Sequence, residues 1–253
     1  MPSIQRLQGK VCVITGAASA LGKAAAERLS SEGATVIGVD RRGHSVGLHS
    51  LRSELTEEEG VRRLFEGIKR DFGRIDVLYN NVGLNDRDDH SALETSLEVW
   101  ERVLAANLTT TFLCCKHGIP HMLANDPPSG SVINTASFLA VMGAATSQMA
   151  YSVAKAGVIQ LSRDLGVHLA RQGVRVNALV LGPIETPQLN ELFARVGEEG
   201  RAQRFIHYPM GRFGTLAELA GTVAYLASDD AGFVTGAAFP IDGGISSAFT
   251  IPA

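Results

Sequence analysis

Apolar and polar positions along this chain follow two rhythms. Short β-branched apolar runs recur at residues 10–15, 34–40, 74–79, 131–135, 174–180 and 237–241. Runs of this length, without strict alternation, predict strands buried on both faces, as in a parallel sheet. Between them lie stretches with a helical period: 23–31, 56–72, two connected helices over roughly 97–124, then 150–171 and 216–228. In 56–72, Val61, Leu64, Phe65 and Ile68 share one face, the pattern of an amphipathic helix docked on a core. The fourteen residues from Asp40 to Glu54 carry no helical period, so the second crossover is predicted to be a loop with a short strand near 47–51. Residues 125–130, Asn-Asp-Pro-Pro-Ser-Gly, break the chain before the fifth strand, at 131–135. Residues 186–214 have mixed polarity with Gly197, Gly200 and Gly211, and are predicted to form a mobile flap.

Strands alternating with helices predict an α/β fold: a doubly wound, Rossmann-type parallel sheet of about seven strands with helices on both faces. No repeat, low-complexity tract or linker divides residues 1–253, so one domain is expected. The first unit has a functional shape. The strand at 10–15 runs into the loop 16–22, which carries Gly16, Ser19, Leu21 and Gly22, and a helix follows. Such a loop lets the backbone approach a pyrophosphate at the helix N-terminus. Asp40 closes the next strand, where a carboxylate can accept hydrogen bonds from ribose hydroxyls.

Tyr151 and Lys155 are four apart on a predicted helix and so lie on one face. A neighbouring ammonium favours the phenolate, so Lys155 is expected to lower the Tyr151 pKa and make the phenol a proton carrier. Ser137, fourteen residues upstream, falls just past the carboxyl end of the strand at 131–135, the sheet edge where ligands collect.

Composition narrows the class. A net charge of −3 gives no reason to expect nucleic acid or an anionic membrane as partner. The apolar runs are too short to span a bilayer, and residues 1–10 lack the apolar stretch of a signal peptide. Cys12, Cys114 and Cys115, an odd count with two adjacent, suggest reduced thiols, and a soluble cytoplasmic protein is expected. No metal is expected: His117 and His121 are four apart but have no third ligand at useful spacing. The acidic clusters 57–59 and 86–89 are read as solvated surface or loop.

The ordered set of these motifs resembles the short-chain dehydrogenase/reductase family in its compact branch. It comprises the loop 15–22, Asp40, Asn80-Asn-Val-Gly83, Asn107, Ser137, Tyr151 with Lys155, Asn177 and Gly182-Pro-Ile-Glu-Thr186. The resemblance covers about residues 7–244. It implies an NAD-dependent oxidoreductase interconverting a secondary alcohol and a ketone by hydride transfer. Tyr151 would be the acid/base, Ser137 would hold the substrate oxygen, and Lys155 would bind the nicotinamide ribose. Asn107 would hold a water linking Lys155 to solvent.

Cofactor contacts are implied at Gly16, Ser19, Leu21, Gly22, Asp40, Arg41, Glu54, Leu55, Asn81, Val82, Gly83, Tyr151, Lys155, Gly182, Ile184 and Thr186. The charge of Asp40 favours NAD, with NADP less favoured although Arg41 and Arg42 follow. Substrate contacts are implied at Ser137, Leu139, Gln148, Met149, Pro183 and Phe193, a mainly apolar wall. The chain departs from the family pattern at Ala20, Glu54, Val82 and Leu181, none a reacting group. An NADPH-dependent 3-oxoacyl-type ketoreductase and a catalytically silent dinucleotide-binding protein are the alternatives. A homo-oligomer, tetramer or dimer, is expected, formed through the helices near 107–124 and 150–171.

Overall fold

In a computed structural model the described residues are 5–42, 49–144 and 147–249. Among them the elements run β1 (Val11–Thr15), α1 (Ala20–Ser31), β2 (Thr35–Asp40), β3 (His49–Arg52), α2 (Glu58–Phe72) and β4 (Val77–Asn80). Then come α3 (Leu97–Leu104), a π-helical turn (Ala105–Thr109), α4 (Thr110–Leu123), β5 (Gly130–Ser137) and α5 (Met149–Leu169). The chain continues with β6 (Val174–Leu181), α6 (Pro187–Phe205), α7 (Leu216–Ala227) and β7 (Ala238–Ile241).

The seven strands form one parallel sheet in the order β3-β2-β1-β4-β5-β6-β7. Side chains alternate between faces along each strand. Cys12 and Ile14 of β1 therefore join a core beneath α1 and α7, with Leu29, Leu219 and Val223. Val11 and Val13 join a second core beneath α2 and α4, with Phe65, Ile68 and Ile119. Helix α5 packs on β5 and β6 through Val158 and Ile159. The strand order reverses direction between β1 and β4, which opens a crevice at their carboxyl ends where a doubly wound sheet binds its ligand.

The sheet and its helices are those expected from the sequence, with three differences. The region near 97–124 is one continuous helical rod in which the π-helical turn replaces the expected join between two helices. β5 extends through Ser137, which is its last residue, because its register with β6 continues to the pair Ser137–Leu181. The expected flap is mostly helical: α6 covers Pro187–Phe205 and kinks at Gly197, whose φ of 70° is left-handed. Its mixed polarity hid the helix because Phe193 is the one α6 side chain that is fully buried. The short strand near 47–51 is β3, and residues 43–48 lie outside the described residues. No described helix is long and apolar enough to cross a membrane.

Candidate active site

The glycine loop is shaped by contacts that a larger residue would destroy. Ser19 caps α1, its hydroxyl accepting from the Gly22 amide at 3.0 Å and donating to the Gly16 carbonyl at 2.8 Å. A Cβ on Gly22 would come within 2.4 Å of the Gly16 carbonyl oxygen, so only glycine lets the loop fold this tightly onto α1. Asn81 braces the loop from β4: its amide nitrogen donates to Ser19 Oγ at 3.0 Å and to the Gly16 carbonyl at 3.3 Å. Asp40 fastens it from β2, one oxygen accepting from the Ala18 amide at 3.1 Å and the other from the Arg42 amide at 3.0 Å. Glu54 turns back on its own chain, accepting from the Leu55 amide and the Thr56 hydroxyl at 3.1 and 3.2 Å. Val82 packs on the core beneath α2 and α4.

Along the crevice, β5, β6 and α5 bring the catalytic candidates together. Ser137 is buried, its hydroxyl accepts from the Leu139 amide at 3.3 Å, and it lies beside Tyr151. Lys155 is almost wholly buried, with its ammonium donating to the Thr135 carbonyl at 2.8 Å and lying 5.7 Å from the centre of the Tyr151 ring. Burial pushes the Lys155 pKa down to about 8.

Tyr151 departs from the sequence expectation. Burial raises its pKa above the ordinary value, and the neighbouring Ser137 hydroxyl opposes this only in part. Lys155 does not depress it as expected, because the ammonium is turned onto Thr135 and the apolar surroundings penalise the phenolate more.

Asn107 occupies the centre of the π-helical turn and is fully buried. Its amide nitrogen donates to the Leu84 and Val103 carbonyls, both at 2.9 Å, and its oxygen accepts from the Leu84 amide at 3.2 Å. The side chain thus clamps the start of the loop after β4. A Cβ on Gly83 would lie 3.1 Å from Asn107 Oδ1 and 3.5 Å from Lys155 Nζ, so this glycine keeps open the space over the lysine.

The residues present suit a nicotinamide dinucleotide. Lys155 spends one of its three ammonium hydrogens on Thr135, which leaves a buried cation able to donate to ribose hydroxyls beside Gly83. The free edge of the glycine loop and the N-terminus of α1 suit a pyrophosphate.

Other candidates have mixed placement. Leu181 and Ile184 are buried, and the loop between them is fixed by Gly182, whose amide donates to the Ile241 carbonyl at 3.0 Å. Thr186 caps α6 by accepting from the Leu189 amide at 3.2 Å. Leu139, Gln148 and Pro183 are half-buried and Met149 is exposed. Phe193 is buried in a cluster with Phe205 and Phe213, its ring 4.9 Å from that of Phe213. That ring holds α6 to the segment before α7. A cavity of about 640 Å³ lies between α7, β7 and this segment, and it shares Pro183 and Ile184 with the site but none of the catalytic candidates. Among the described residues no group of three or more metal-binding side chains is present.

Sequence reasoning missed Asp89. It was expected to be solvated, yet it is buried and accepts from the Ala150 and Tyr151 amides. The available signal was the absence of a capping residue before α5, where Gln148 and Met149 stand.

A family model described as enoyl-(acyl carrier protein) reductase matches residues 16–246. The chain is 35% identical over 254 residues to the 3-oxoacyl-acyl-carrier-protein reductase of Thermotoga maritima, covering 95% of this chain and 99% of that protein. It is 37% identical over 249 residues to cis-4-hydroxycyclohexanecarboxylate dehydrogenase of Sinomonas cyclohexanicum, covering 94% and 97%. The crystal structure of levodione reductase superposes with a TM-score of 0.87 at 31% identity, over 96% of this chain and all of that one. The chain belongs to the short-chain dehydrogenase/reductase family and is an NAD(P)-dependent oxidoreductase acting on CH–OH groups.

Proposed function

We propose that the protein is an NAD-dependent oxidoreductase that interconverts a secondary alcohol and a ketone, with Tyr151 carrying the proton. The observation that carries this reading is that Tyr151 stands close enough to Ser137, at the carboxyl end of β5, for the serine hydroxyl to favour its phenolate, with buried Lys155 one helical turn along. The nicotinamide cofactor supplies or accepts the hydride.

The chain's own residues do the rest. In reduction, Tyr151 donates its proton to the carbonyl oxygen as negative charge develops there, and Ser137 donates a hydrogen bond to the same oxygen. In oxidation, Tyr151 takes the alcohol proton. Lys155 holds the ribose hydroxyls and keeps positive charge beside the phenol. The loop 16–22 and the N-terminus of α1 hold the pyrophosphate.

Preference for NAD rests on Asp40. Its carboxylate is fixed at the end of β2 by the Ala18 and Arg42 amides, so a 2′-phosphate would have to approach an immobile negative charge. The second reading, an NADPH-dependent ketoreductase of the 3-oxoacyl type, is favoured by Arg41 beside Asp40 and by the likeness to the Thermotoga protein. A panel of racemic secondary alcohols with NAD or NADP, followed by reduced-cofactor absorbance, separates the two. Turnover with NAD at least about 10-fold above that with NADP is expected, and preference for NADP would overturn the use made of Asp40.

Self-association through α4 and α5 is part of the same reading, supported by exposed Phe112, Val153 and Val167 on those helices. Sedimentation at the mass of one protomer would count against it.

A further inference from the structure

Every helix begins with four amides that lack partners within the helix, and these are usually met by a local capping residue. Helix α5 has no side-chain cap of its own. Its first three amides are instead met by two residues about sixty positions earlier. Met149 donates to the His90 carbonyl at 3.3 Å, Ala150 to Asp89 Oδ1 at 3.0 Å, and Tyr151 to Asp89 Oδ2 at 2.9 Å. The fourth, Ser152, bonds back to the Gln148 carbonyl at 3.0 Å. Both oxygens of Asp89 are therefore committed to the first turn of the helix that carries the proposed proton carrier, and one of them holds the amide of Tyr151 itself.

The chemistry of Asp89 is unusual among the buried acids. Glu32 is paired with Arg6 and Arg28, and Asp76 with Arg74. Asp89, 3% exposed, has backbone amides as its recorded partners. A buried carboxylate without a cation is costly unless donors and a positive field replace water. Two amide hydrogen bonds and the positive end of the α5 dipole provide both.

The segment that presents Asp89 is itself braced. Asn107 clamps Leu84 at one end, Arg102 pairs with Asp86 at 2.8 Å, and the His90 amide donates to Thr95 Oγ1 at 2.9 Å. Beneath the same turn, Val99, Val103 and Ala150 form a small core against which Trp100 and Tyr151 pack. Residues 84–95 thus form a rigid strut running from the π-helical turn to the backbone of Tyr151.

We propose that Asp89 is a positioning residue for Tyr151: it caps α5 from outside the helix and so fixes the phenol relative to Ser137. This rests on Tyr151 being the proton carrier, as proposed above. Asp89 touches no reacting atom, so its loss should lower kcat and leave cofactor binding alone. Displacement of a reacting group by about 1 Å can lower turnover by roughly 100-fold.

The test compares Asp89→Asn, Asp89→Ser, Tyr151→Phe and the Asp89→Asn, Tyr151→Phe double variant in the full chain. Readouts are kcat on the best alcohol of the panel and the dissociation constant for NADH by fluorescence. Asp89→Asn keeps one acceptor and turns an amide nitrogen towards the second helix amide, while Asp89→Ser supplies a single acceptor and guards against misfolding in the first. The expected result is a fall in kcat of about 10- to 100-fold in either variant, with NADH affinity within about twofold of wild type.

In the Tyr151→Phe background, Asp89→Asn should lower kcat no further, because a residue acting through Tyr151 has nothing left to position. An unchanged kcat in both single variants overturns the inference, as does NADH affinity falling in step with kcat, which would make Asp89 a general fold residue. A further full loss in the double variant also overturns it. Wild-type turnover in Tyr151→Phe overturns the proton-carrier reading instead, so the two failures are distinguishable.

Discussion

The Lys155 ammonium donates to the Thr135 carbonyl at 2.8 Å while lying 5.7 Å from the centre of the Tyr151 ring. Two residues chosen for chemistry thus share a buried turn, and burial works against the charged form of each. The site is organised at the expense of stability.

That relationship sets a pH dependence of folding. The Lys155 pKa falls from 10.5 in an exposed lysine to about 8 in the folded chain. Between those values the unfolded chain holds a proton that the folded chain has released. Stability from this group therefore rises as pH rises through the window, and the penalty is full below about pH 8. The shift corresponds to about 3 kcal/mol at neutral pH, and removing the lysine would also remove its hydrogen bond to the Thr135 carbonyl, a loss of about 1 kcal/mol. Lys155→Met should raise stability by about 2 kcal/mol near pH 7, with the gain shrinking towards pH 10.5, while turnover collapses. Urea denaturation at the two pH values checks this.

The raised pKa of Tyr151 sets the pH dependence of catalysis. A phenol that keeps its proton at neutral pH is ready as an acid and must be deprotonated to serve as a base. Alcohol oxidation should keep climbing with pH through the alkaline range without levelling below the ordinary phenol range, while ketone reduction stays level until the phenol ionises. Initial rates in both directions across that range test the assignment. A flat oxidation profile would remove the phenol from the rate-limiting proton transfer.

Gly22→Ala should damage the cofactor site. The new methyl group would sit 2.4 Å from the Gly16 carbonyl oxygen and 2.8 Å from Ala17 Cα, both backbone atoms that can yield only by opening the loop. A loss of about 1–3 kcal/mol in stability is expected, with NADH affinity down by at least about 10-fold on the same scale. Gly67→Ala in α2 is the contrast. Its nearest neighbour is the Arg70 side chain at 3.8 Å, so it should stabilise by up to about 1 kcal/mol through helix propensity. Thermal melts and NADH titration distinguish the two.

Asn107→Ala would strip the Leu84 carbonyl and amide of their side-chain partner and remove the bond from the side chain to the Val103 carbonyl. Leaving buried backbone groups unpaired costs about 1–3 kcal/mol each before relaxation. A drop in stability of at least about 2 kcal/mol is expected, together with faster amide exchange in residues 84–95. Unchanged exchange there would mean that the clamp is not what holds the segment.

These contacts mark where sequence reading works and where it stops. The inner strands were legible because they are buried on both faces and so form short apolar runs, as at Val77–Asn80 and Val174–Leu181. The catalytic candidates were legible because their residue types and order are distinctive. Asp89 was not legible, since its importance comes from a contact with amides sixty positions away and nothing near it in sequence distinguishes it from Asp86 or Asp88. The fall of the Lys155 ammonium onto Thr135 was hidden for a similar reason. Spacing on a helix sets which side chains are neighbours, and only the packed sheet decides where the ammonium points. The helix α6 escaped because its apolar side turns on Phe193 and the terminal Phe205, which pack on Phe213 beyond the helix, outside the window that a helical period samples.

The central claim is that the Tyr151 phenol carries the proton. Tyr151→Phe removes only the hydroxyl and leaves the ring packed against the small core of Val99, Val103 and Ala150. Its turnover with the best alcohol and NAD, measured beside NADH affinity, is the most direct test. A fall in kcat of about 10²- to 10⁴-fold with NADH affinity unchanged is the predicted result. Turnover within a few-fold of wild type would contradict the account.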